Sequence, residues 1–173
     1  MNQAAPVTER DLETSIGRGD KLEIRLWLRL LTCSTMIERQ VRARMRARFD
    51  ITLPRYDVLA QLYRSPGGLS MGELSGLLMV SNGNVTVLID RLVQDGLVTR
   101  EPAGHDRRSL WVRISATGRT AFEAMTAEHE QWLEQLLAGF GRDDKQRLLA
   151  TLGKFKQALK QTAGGTEAAE AAE

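Results

Sequence analysis

The chain of 173 residues has few of the residue types on which most enzyme active sites depend. It contains one cysteine, Cys33, and two histidines, His105 and His129, neither of which has a partner at the spacing of metal ligands. A glycine-rich phosphate loop and a Gly-x-Ser-x-Gly motif are both absent. We therefore expect no enzymatic activity, no metal site and no cofactor.

The sequence also lacks the features of secreted and membrane proteins. A single cysteine excludes a disulfide within one chain, and no apolar run approaches the roughly 20 residues that a membrane-spanning helix requires. The first residues, MNQAAPVTERDLE, contain no apolar core of a signal peptide. These absences predict a cytoplasmic protein that does not associate with a membrane.

Positive charge is concentrated in two segments, although the formal net charge is only +2. Residues 36–64 contain seven arginines and three acidic residues, and residues 91–119 contain six arginines and three acidic residues. Such local charge within a modest total favours binding of a polyanion on one face. Taken alone, either segment could equally be an ordinary solvated surface.

The hydrophobic pattern divides the chain into five parts. We predict a flexible arm over residues 1–19, a long helix within residues 20–50, a compact domain over residues 51–114, two long helices over residues 115–162, and a disordered acidic tail over residues 163–173. The residues predicted to cap helices are Asp20, Ser70, Ser81 and Ser115.

The compact middle part has the order of elements of a winged helix-turn-helix. Ser70 and Glu73 form a capping box for a first short helix, and Ser81 can cap a second that ends at Gly96. The run LWVRIS at 110–115 alternates apolar and polar residues, as a half-buried strand does. The predicted fold class is mainly α with a small β-hairpin wing, a winged helix-turn-helix with long N- and C-terminal helices.

The residues at the start of the second short helix suit contact with DNA. In a helix-turn-helix this helix enters the major groove with its N-terminal residues facing the base edges. The sequence here reads SNGNVT, in which asparagine suits adenine and the threonine methyl suits thymine. Gly83 costs on the order of 1 kcal/mol relative to alanine, which is easier to accept where a backbone must approach another surface. The SNGN sequence could also be no more than a good helix cap.

The tip of the predicted hairpin carries positive charge. A wing beside the recognition helix would place its arginines over the minor groove, and Asp106 is close enough in sequence to brace Arg108. The residues that we expect to contact DNA are Ser70, Ser81, Asn82, Gly83, Asn84, Thr86, Arg91, Asp106, Arg107 and Arg108.

The segment HDRRSLWVRISATG at 105–118 resembles the wing and the following helix start of the MarR family of bacterial transcription regulators. That family has Asp-x-Arg, an apolar strand, Thr or Ser, and Gly three residues later, which Asp106, Arg108, Ser115 and Gly118 match. The segments TLPRYDVLAQL and LVQDGLVTRE are also similar to the family's second helix and to the end of its recognition helix. One departure is that many relatives have a basic residue in the first turns of the recognition helix, whereas here the first is Arg91.

The resemblance implies an obligate homodimer that binds double-stranded DNA and represses transcription until a small molecule releases it. The first, fifth and sixth helices would form the dimer interface, and two recognition helices would meet a pseudo-palindromic operator about one DNA turn apart. The chain's long outer helices carry more apolar surface than a small domain needs, which agrees with this implication.

The effector that the resemblance implies is an aromatic carboxylate, or an aromatic acyl-coenzyme A such as hydroxycinnamoyl-coenzyme A. Arginines of the segment RQVRARMRARF could bind the coenzyme's phosphates, or alternatively DNA phosphates. Ordinary core packing is the competing interpretation for the apolar and aromatic candidates. The candidate ligand-binding residues are Trp27, Cys33, Ile37, Arg42, Arg44, Tyr56 and Tyr63.

Three other functions remain open at this point. A protein that coats DNA would bind by counterion release and ignore sequence. A redox-sensing regulator would need a reactive cysteine, but Cys33 lies far from any predicted helix start. An interaction module could keep the fold and lack DNA binding, against which Asp106, Arg108 and the polar recognition turn argue.

Overall fold

The computed structural model describes the backbone of residues 21–103 and 106–170, and the side chains of residues 21–101 and 110–162. This part of the chain is mainly helical with one small antiparallel sheet, which confirms the predicted fold class. The helices are α1 (Leu22–Phe49), α2 (Leu53–Arg64), α3 (Met71–Leu78), α4 (Asn82–Gln94), α5 (Ala116–Leu136) and α6 (Arg142–Glu170). The strands are β1 (Leu69–Ser70), β2 (Val98–Ala103) and β3 (Asp106–Ile114). None of the described helices combines the length and the apolar character needed to span a lipid bilayer.

Local capping signals determine where most of these helices begin and end. Ser115 caps α5, since its Oγ accepts a hydrogen bond from the Gly118 N–H at 2.9 Å. The same hydroxyl donates to the Gly96 carbonyl at 2.7 Å, and Gly96 itself has a φ of +70° at the end of α4. At α1 the N-cap is Lys21, whose side chain makes no capping hydrogen bond, and the predicted cap Asp20 lies outside the described residues.

The sheet has one strand more than the predicted hairpin. Its order is β1-β3-β2, so β3 lies in the middle, with Leu69 opposite Val112 and Ser70 opposite Trp111. A strand of two residues carries no alternation from which it could be predicted, and its partner is more than 40 residues away in sequence. Because β1 pairs with β3, the start of α3 is hydrogen-bonded to the wing.

The structure is helical over residues 163–170, where the sequence predicts a disordered tail over residues 163–173. The helix α6 continues to Glu170, and residues 171–173 lie outside the described residues. Alanine and glutamate dominate the end of this segment and are among the best helix formers, and extending an existing helix adds one hydrogen bond per residue. The composition of this segment is therefore compatible with a continued helix.

The described part of the chain divides into two compact units, of which the first ends at Trp132 and the second begins at Leu133. In the first unit, fully buried side chains from four helices and β3 form the core; the largest are Met45, Leu59, Leu62, Leu74, Ile89, Leu92, Val58, Val85 and Val112. In the second unit, α6 exposes a row of large apolar side chains, namely Leu148, Leu149, Leu152, Phe155 and Leu159.

Candidate nucleic-acid interface

The start of α3 is held by the predicted capping box. Ser70 Oγ accepts from the Glu73 N–H at 3.2 Å, and the Glu73 Oε2 accepts from both the N–H and the Oγ of Ser70 at 2.7 Å. These hydrogen bonds lower the pKa of Glu73, so the carboxylate stays ionised. The Ser70 hydroxyl, which the sequence suggested as a DNA contact, is thus engaged within the helix cap.

The turn between α3 and α4 is tight and closed by its own hydrogen bonds. Met79 adopts a left-handed conformation with a φ of 54°, and the Val80 N–H donates to the Ser75 carbonyl at 3.2 Å. Ser75 Oγ in turn donates to the Val80 carbonyl at 2.5 Å. Ser81 then caps α4 by accepting from the Asn84 N–H at 3.5 Å. The turn therefore fixes the angle at which α4 leaves α3.

Helix α4 is divided into a buried face and an exposed face. Val85, Ile89 and Leu92 are fully buried, and they anchor the helix on the core. The residues of its first turns that face outward are Asn82, Gly83, Asn84, Thr86 and Val87. This division leaves polar, uncommitted atoms at the N-terminus, where helix geometry also places unpaired backbone N–H groups.

The exposed side chains near the start of α4 differ in how far they are engaged. The amides of Asn82 and Asn84 make no hydrogen bond to any side chain or backbone group that the structure describes, so both are available to a partner. The Thr86 hydroxyl donates to the Asn82 carbonyl at 3.0 Å, although the residue as a whole is exposed. At Gly83 a Cβ would meet nothing within 4 Å, so no contact within the chain requires glycine there.

One ion pair joins the two long strands of the wing, and another joins the wing to α4. Arg100 on β2 pairs with Asp90 on α4 at 2.6 Å, and Arg113 on β3 pairs with Glu101 on β2 at 3.2 Å. The wing is therefore attached to α4 by side chains as well as by the chain that connects them.

The chain matches known transcription regulators along almost all of its length. The family profile described as MarR family matches residues 49–109. The transcriptional activatory protein BadR of Rhodopseudomonas palustris is 31% identical over 171 residues, which cover 96% of this chain and 97% of BadR. A MarR family transcriptional regulator from Silicibacter pomeroyi, known from a crystal structure, is 31% identical with a TM-score of 0.70, covering 79% of this chain and 94% of that one.

This chain belongs to the MarR family of transcriptional regulators. Its fold is also similar to that of MepR in the crystal structure of the S. aureus MepR–DNA complex, with a TM-score of 0.66 over 75% of this chain and 94% of MepR. At 20% identity that likeness concerns the fold alone. Membership confirms the family to which the wing segment pointed, and with it the winged helix and a role in transcription regulation.

Five of the ten predicted DNA-contacting residues lie together at the α4 N-terminus, namely Ser81, Asn82, Gly83, Asn84 and Thr86, whereas Ser70 lies at the start of α3. Arg91 lies near the opposite end of α4, about 13 Å along the axis from Asn82. There it donates to Gln94 Oε1 at 3.4 Å and pairs with Asp95 at 3.6 Å. The side chains of Asp106, Arg107 and Arg108, where β3 begins, lie outside the described part of the structure.

One exposed residue of the candidate interface was not predicted from the sequence. Val87 on α4 is 68% exposed, although it is a large apolar residue. At 3.6 residues per turn it lies nearly opposite Val85 and Ile89, and this spacing could have identified it from the sequence.

A polar cleft of about 440 Å³ lies between α2, α3 and α5. Its lining residues are Tyr56, Asp57, Ala60, Gln61, Arg64, Leu77, Leu78, Thr126, His129 and Glu130. The Tyr56 hydroxyl lies 3.1 Å from Thr126 Oγ1 and 3.3 Å from His129 Nδ1, and burial raises the pKa of Tyr56. The cleft's charged side chains are two carboxylates and one guanidinium, which disfavours an anionic ligand.

A second cleft, which we call the arginine cleft, has a volume of about 370 Å³ and touches the end of α4. Its lining residues are Phe49, Asp50, Ile51, Arg55, Arg91, Asp95, Leu97, Ala121, Ala124 and Met125. Arg55 on α2 pairs with Asp95, the C-cap of α4, and its side chain is only 11% exposed. Burial and then the nearby Arg91 lower the pKa of Arg55, and its Nε is buried without a partner among the described residues.

Of the predicted ligand-binding residues, only Tyr56 lines either cleft. Tyr63 donates to Glu123 Oε1 at 2.9 Å, and its ring lies under the Arg119 guanidinium. The other candidates lie on α1 and line neither cleft: Trp27 and Cys33 are exposed, Ile37 and Arg44 are half-buried, and Arg42 pairs with Glu38. Within one chain the structure therefore does not assemble the predicted set into one pocket.

Replacing His129 by glutamine is expected to make the protein less sensitive to acid. Burial lowers the pKa of His129 below its usual 6.5, so the folded chain favours the neutral ring. As pH falls through 6.5 the unfolded chain takes up the proton first, and the folded state loses stability until the pH is below the folded pKa. The pKa of Asp57 shifts the other way, since burial and then the nearby Glu38 raise it above its usual 3.8, so protonation of Asp57 favours the folded state as pH falls. Thermal midpoints at about pH 7.5 and about pH 5.5 test this; equal losses in wild type and His129→Gln would contradict it.

Proposed function

We propose that this protein is a homodimeric repressor that binds a pseudo-palindromic operator and releases it when a small aromatic acid, or its coenzyme A thioester, binds. The observation that carries the DNA-binding part is the first turn of α4. Its two amide side chains are exposed and uncommitted, while Val85, Ile89 and Leu92 fix the helix from behind. Amides at this position of a helix-turn-helix suit hydrogen bonding to base edges in the major groove.

Exposed apolar residues on the outer helices support the homodimer. Leu22, Trp27 and Met36 on α1 are exposed in the single chain, and so is the apolar row on α6. Exposed apolar area of this extent marks a surface that another protein covers, and closed two-fold dimers are the commonest arrangement of identical chains. Such a dimer presents two copies of α4, which is why the operator is expected to be an inverted repeat.

Selection from random duplex DNA at about 150 mM salt tests this proposal. We expect enrichment of an inverted repeat whose half-site centres are roughly 10 bp apart, because two recognition helices enter successive major grooves on one side of the duplex. Binding without enrichment would instead support a DNA-coating protein, and absence of binding would support an interaction module. Sedimentation of the protein without DNA provides the control, since a monomer at micromolar concentration would contradict the dimer.

Repression is proposed because a dimer bound across a promoter blocks access to it. BadR, which is 31% identical to this chain, is named an activatory protein, so the sign of regulation needs its own test. In vitro transcription from a promoter containing the selected operator decides the question. A fall in transcript when the protein is added supports repression, whereas a rise overturns that part of the proposal and leaves DNA binding intact.

The arginine cleft suits the proposed effector better than the polar cleft does. Phe49, Ile51, Leu97 and Met125 supply apolar surface for an aromatic ring, and Arg55 supplies an unpaired Nε for a carboxylate. Forked hydrogen bonds from arginine to carboxylate are among the stronger polar contacts in proteins. A ligand carboxylate on Arg55 would compete with Asp95, the cap of the recognition helix, and this competition provides a route from ligand to DNA.

Replacing Arg55 by lysine is expected to weaken effector binding by about 10- to 100-fold, because lysine keeps the charge opposite Asp95 but cannot form the forked pair of hydrogen bonds. Calorimetric titration with benzoate, 4-hydroxycinnamate and 4-hydroxycinnamoyl-coenzyme A measures the loss. Arg64→Lys, in the polar cleft, is the matched control and should bind as wild type does. If Arg64→Lys loses affinity and Arg55→Lys does not, the effector occupies the polar cleft instead.

A further inference from the structure

The outward face of α4 carries residues that neither packing on the core nor helix stability explains. Gly83, Thr86 and Val87 lie on or beside this face, and all three are exposed. Glycine and β-branched residues are poor helix formers, so each lowers the stability of α4 relative to alanine. Gly83 has open space where its Cβ would be. A helix selected for stability alone would carry other residues here.

Val87 and the methyl group of Thr86 offer apolar surface at the position where the helix would meet DNA. Val87 presents two methyl groups and is 68% exposed. The Thr86 hydroxyl donates its proton to the Asn82 carbonyl at 3.0 Å, so it cannot donate to a base edge, and the same exposed side chain also carries a methyl group. Gly83, one turn before Val87, adds no side chain that would hold this surface away from a base.

We propose that Val87, with the Thr86 methyl beside it, is a specificity-determining residue that recognises the 5-methyl group of a thymine in each half-site of the operator. The C5-methyl is the one apolar group that B-DNA displays in the major groove, so it is the natural partner of an exposed methyl cluster on a recognition helix. Asn82 and Asn84 recognise hydrogen-bonding edges, and Val87 adds a preference for T·A over the other pairs at its own position. This inference rests on the proposed function, because it requires α4 to enter the major groove.

Deoxyuridine provides the test, because it differs from thymidine only by the missing 5-methyl group. Each thymine of the selected operator is replaced in turn, symmetrically in both half-sites, and the Kd is measured by fluorescence anisotropy. Removing one buried methyl is expected to weaken binding about four-fold per half-site, which multiplies to roughly fifteen-fold for the pair. One thymine position should show this loss in the wild-type protein.

The variant Val87→Ala connects that loss to the residue. Alanine is the best helix former, so the variant should fold at least as stably as wild type, which thermal unfolding checks. We expect Val87→Ala to bind the thymine operator more weakly and to show little further loss on deoxyuridine at the same position, as the double-mutant cycle requires of groups in contact. Val93→Ala, on the same helix but near its C-terminus, should keep the full deoxyuridine effect.

Each result has a distinct meaning. If no deoxyuridine substitution weakens wild-type binding, or if the loss persists unchanged in Val87→Ala, the assignment to Val87 is overturned while the operator and the proposed function stand. If the random-DNA selection yields no operator, the proposed function fails, and this inference fails with it.

Discussion

Replacing Gly118 by alanine is expected to lower the free energy of unfolding by about 3 kcal/mol or more. A Cβ at this position would lie 1.9 Å from the Leu97 carbonyl oxygen and 2.8 Å from the Leu97 carbonyl carbon. Both are backbone atoms, and the same carbonyl accepts a hydrogen bond from the Ser115 N–H at 3.0 Å. Relief of the overlap would therefore require the start of α5 to move away from the segment that follows α4.

Urea unfolding followed by circular dichroism measures the effect, and Gly83→Ala is its matched control. A Cβ at Gly83 meets nothing within 4 Å, so alanine should leave the stability unchanged or raise it by up to about 1 kcal/mol. If Gly118→Ala is insoluble while Gly83→Ala folds normally, the loss of stability at position 118 is larger than expected and the prediction still holds. Equal stability of the two variants would show that α5 does not approach Leu97 this closely in solution.

Replacing Asn84 by aspartate is expected to weaken operator binding by about 100-fold or more, without loss of fold. The change preserves the shape of the side chain and replaces a hydrogen-bond donor by a negative charge at the surface that we propose faces DNA. Loss of a good base contact costs about 1–3 kcal/mol, and like charges at an interface add to that cost. The introduced carboxylate would lie in the first turn of α4, where a negative charge is favourable to the helix, so the folded state should be as stable as wild type or more so.

The control for this prediction changes the charge equally at the other end of the same helix. Gln94→Glu alters the last residue of α4, roughly 15 Å along the axis from Asn84, and its effect on the operator Kd should be much smaller. Anisotropy titrations at two salt concentrations separate a local effect from a general change in net charge. Similar losses in the two variants would mean that α4 does not meet DNA by its N-terminus.

Sequence alone predicted the features of this fold that depend on neighbouring residues. The caps at Ser70, Ser81 and Ser115 and the stop at Gly96 are each formed by hydrogen bonds or dihedral angles within a few residues. The burial of Val85, Ile89 and Leu92 follows from helical spacing in the same way. A capping or periodic signal can be recognised without knowing the rest of the structure.

Features that join distant segments could not be predicted from the sequence. The two-residue strand β1 exists because β3 lies beside it, and the pair of Arg55 with Asp95 joins residues 40 positions apart. Within one chain the predicted ligand residues line no common pocket, because helical spacing on α1 shows which residues share a side of the helix but not what covers that side. Val87 is a different case, because the period of 3.6 residues per turn is enough to predict that it lies opposite Val85 and Ile89.

The attachment of the wing to the helix-turn-helix affects which DNA sequences the protein can accept. Pairing of β1 with β3 and of Arg100 with Asp90 leaves little freedom between α4 and the base of the wing. Because α4 and the wing cannot move relative to each other, the DNA has to bend or narrow its groove if both elements are to contact it. Pyrimidine–purine steps deform most easily, so operators should carry TA or CA/TG steps between the two contacts, at base pairs that no side chain touches.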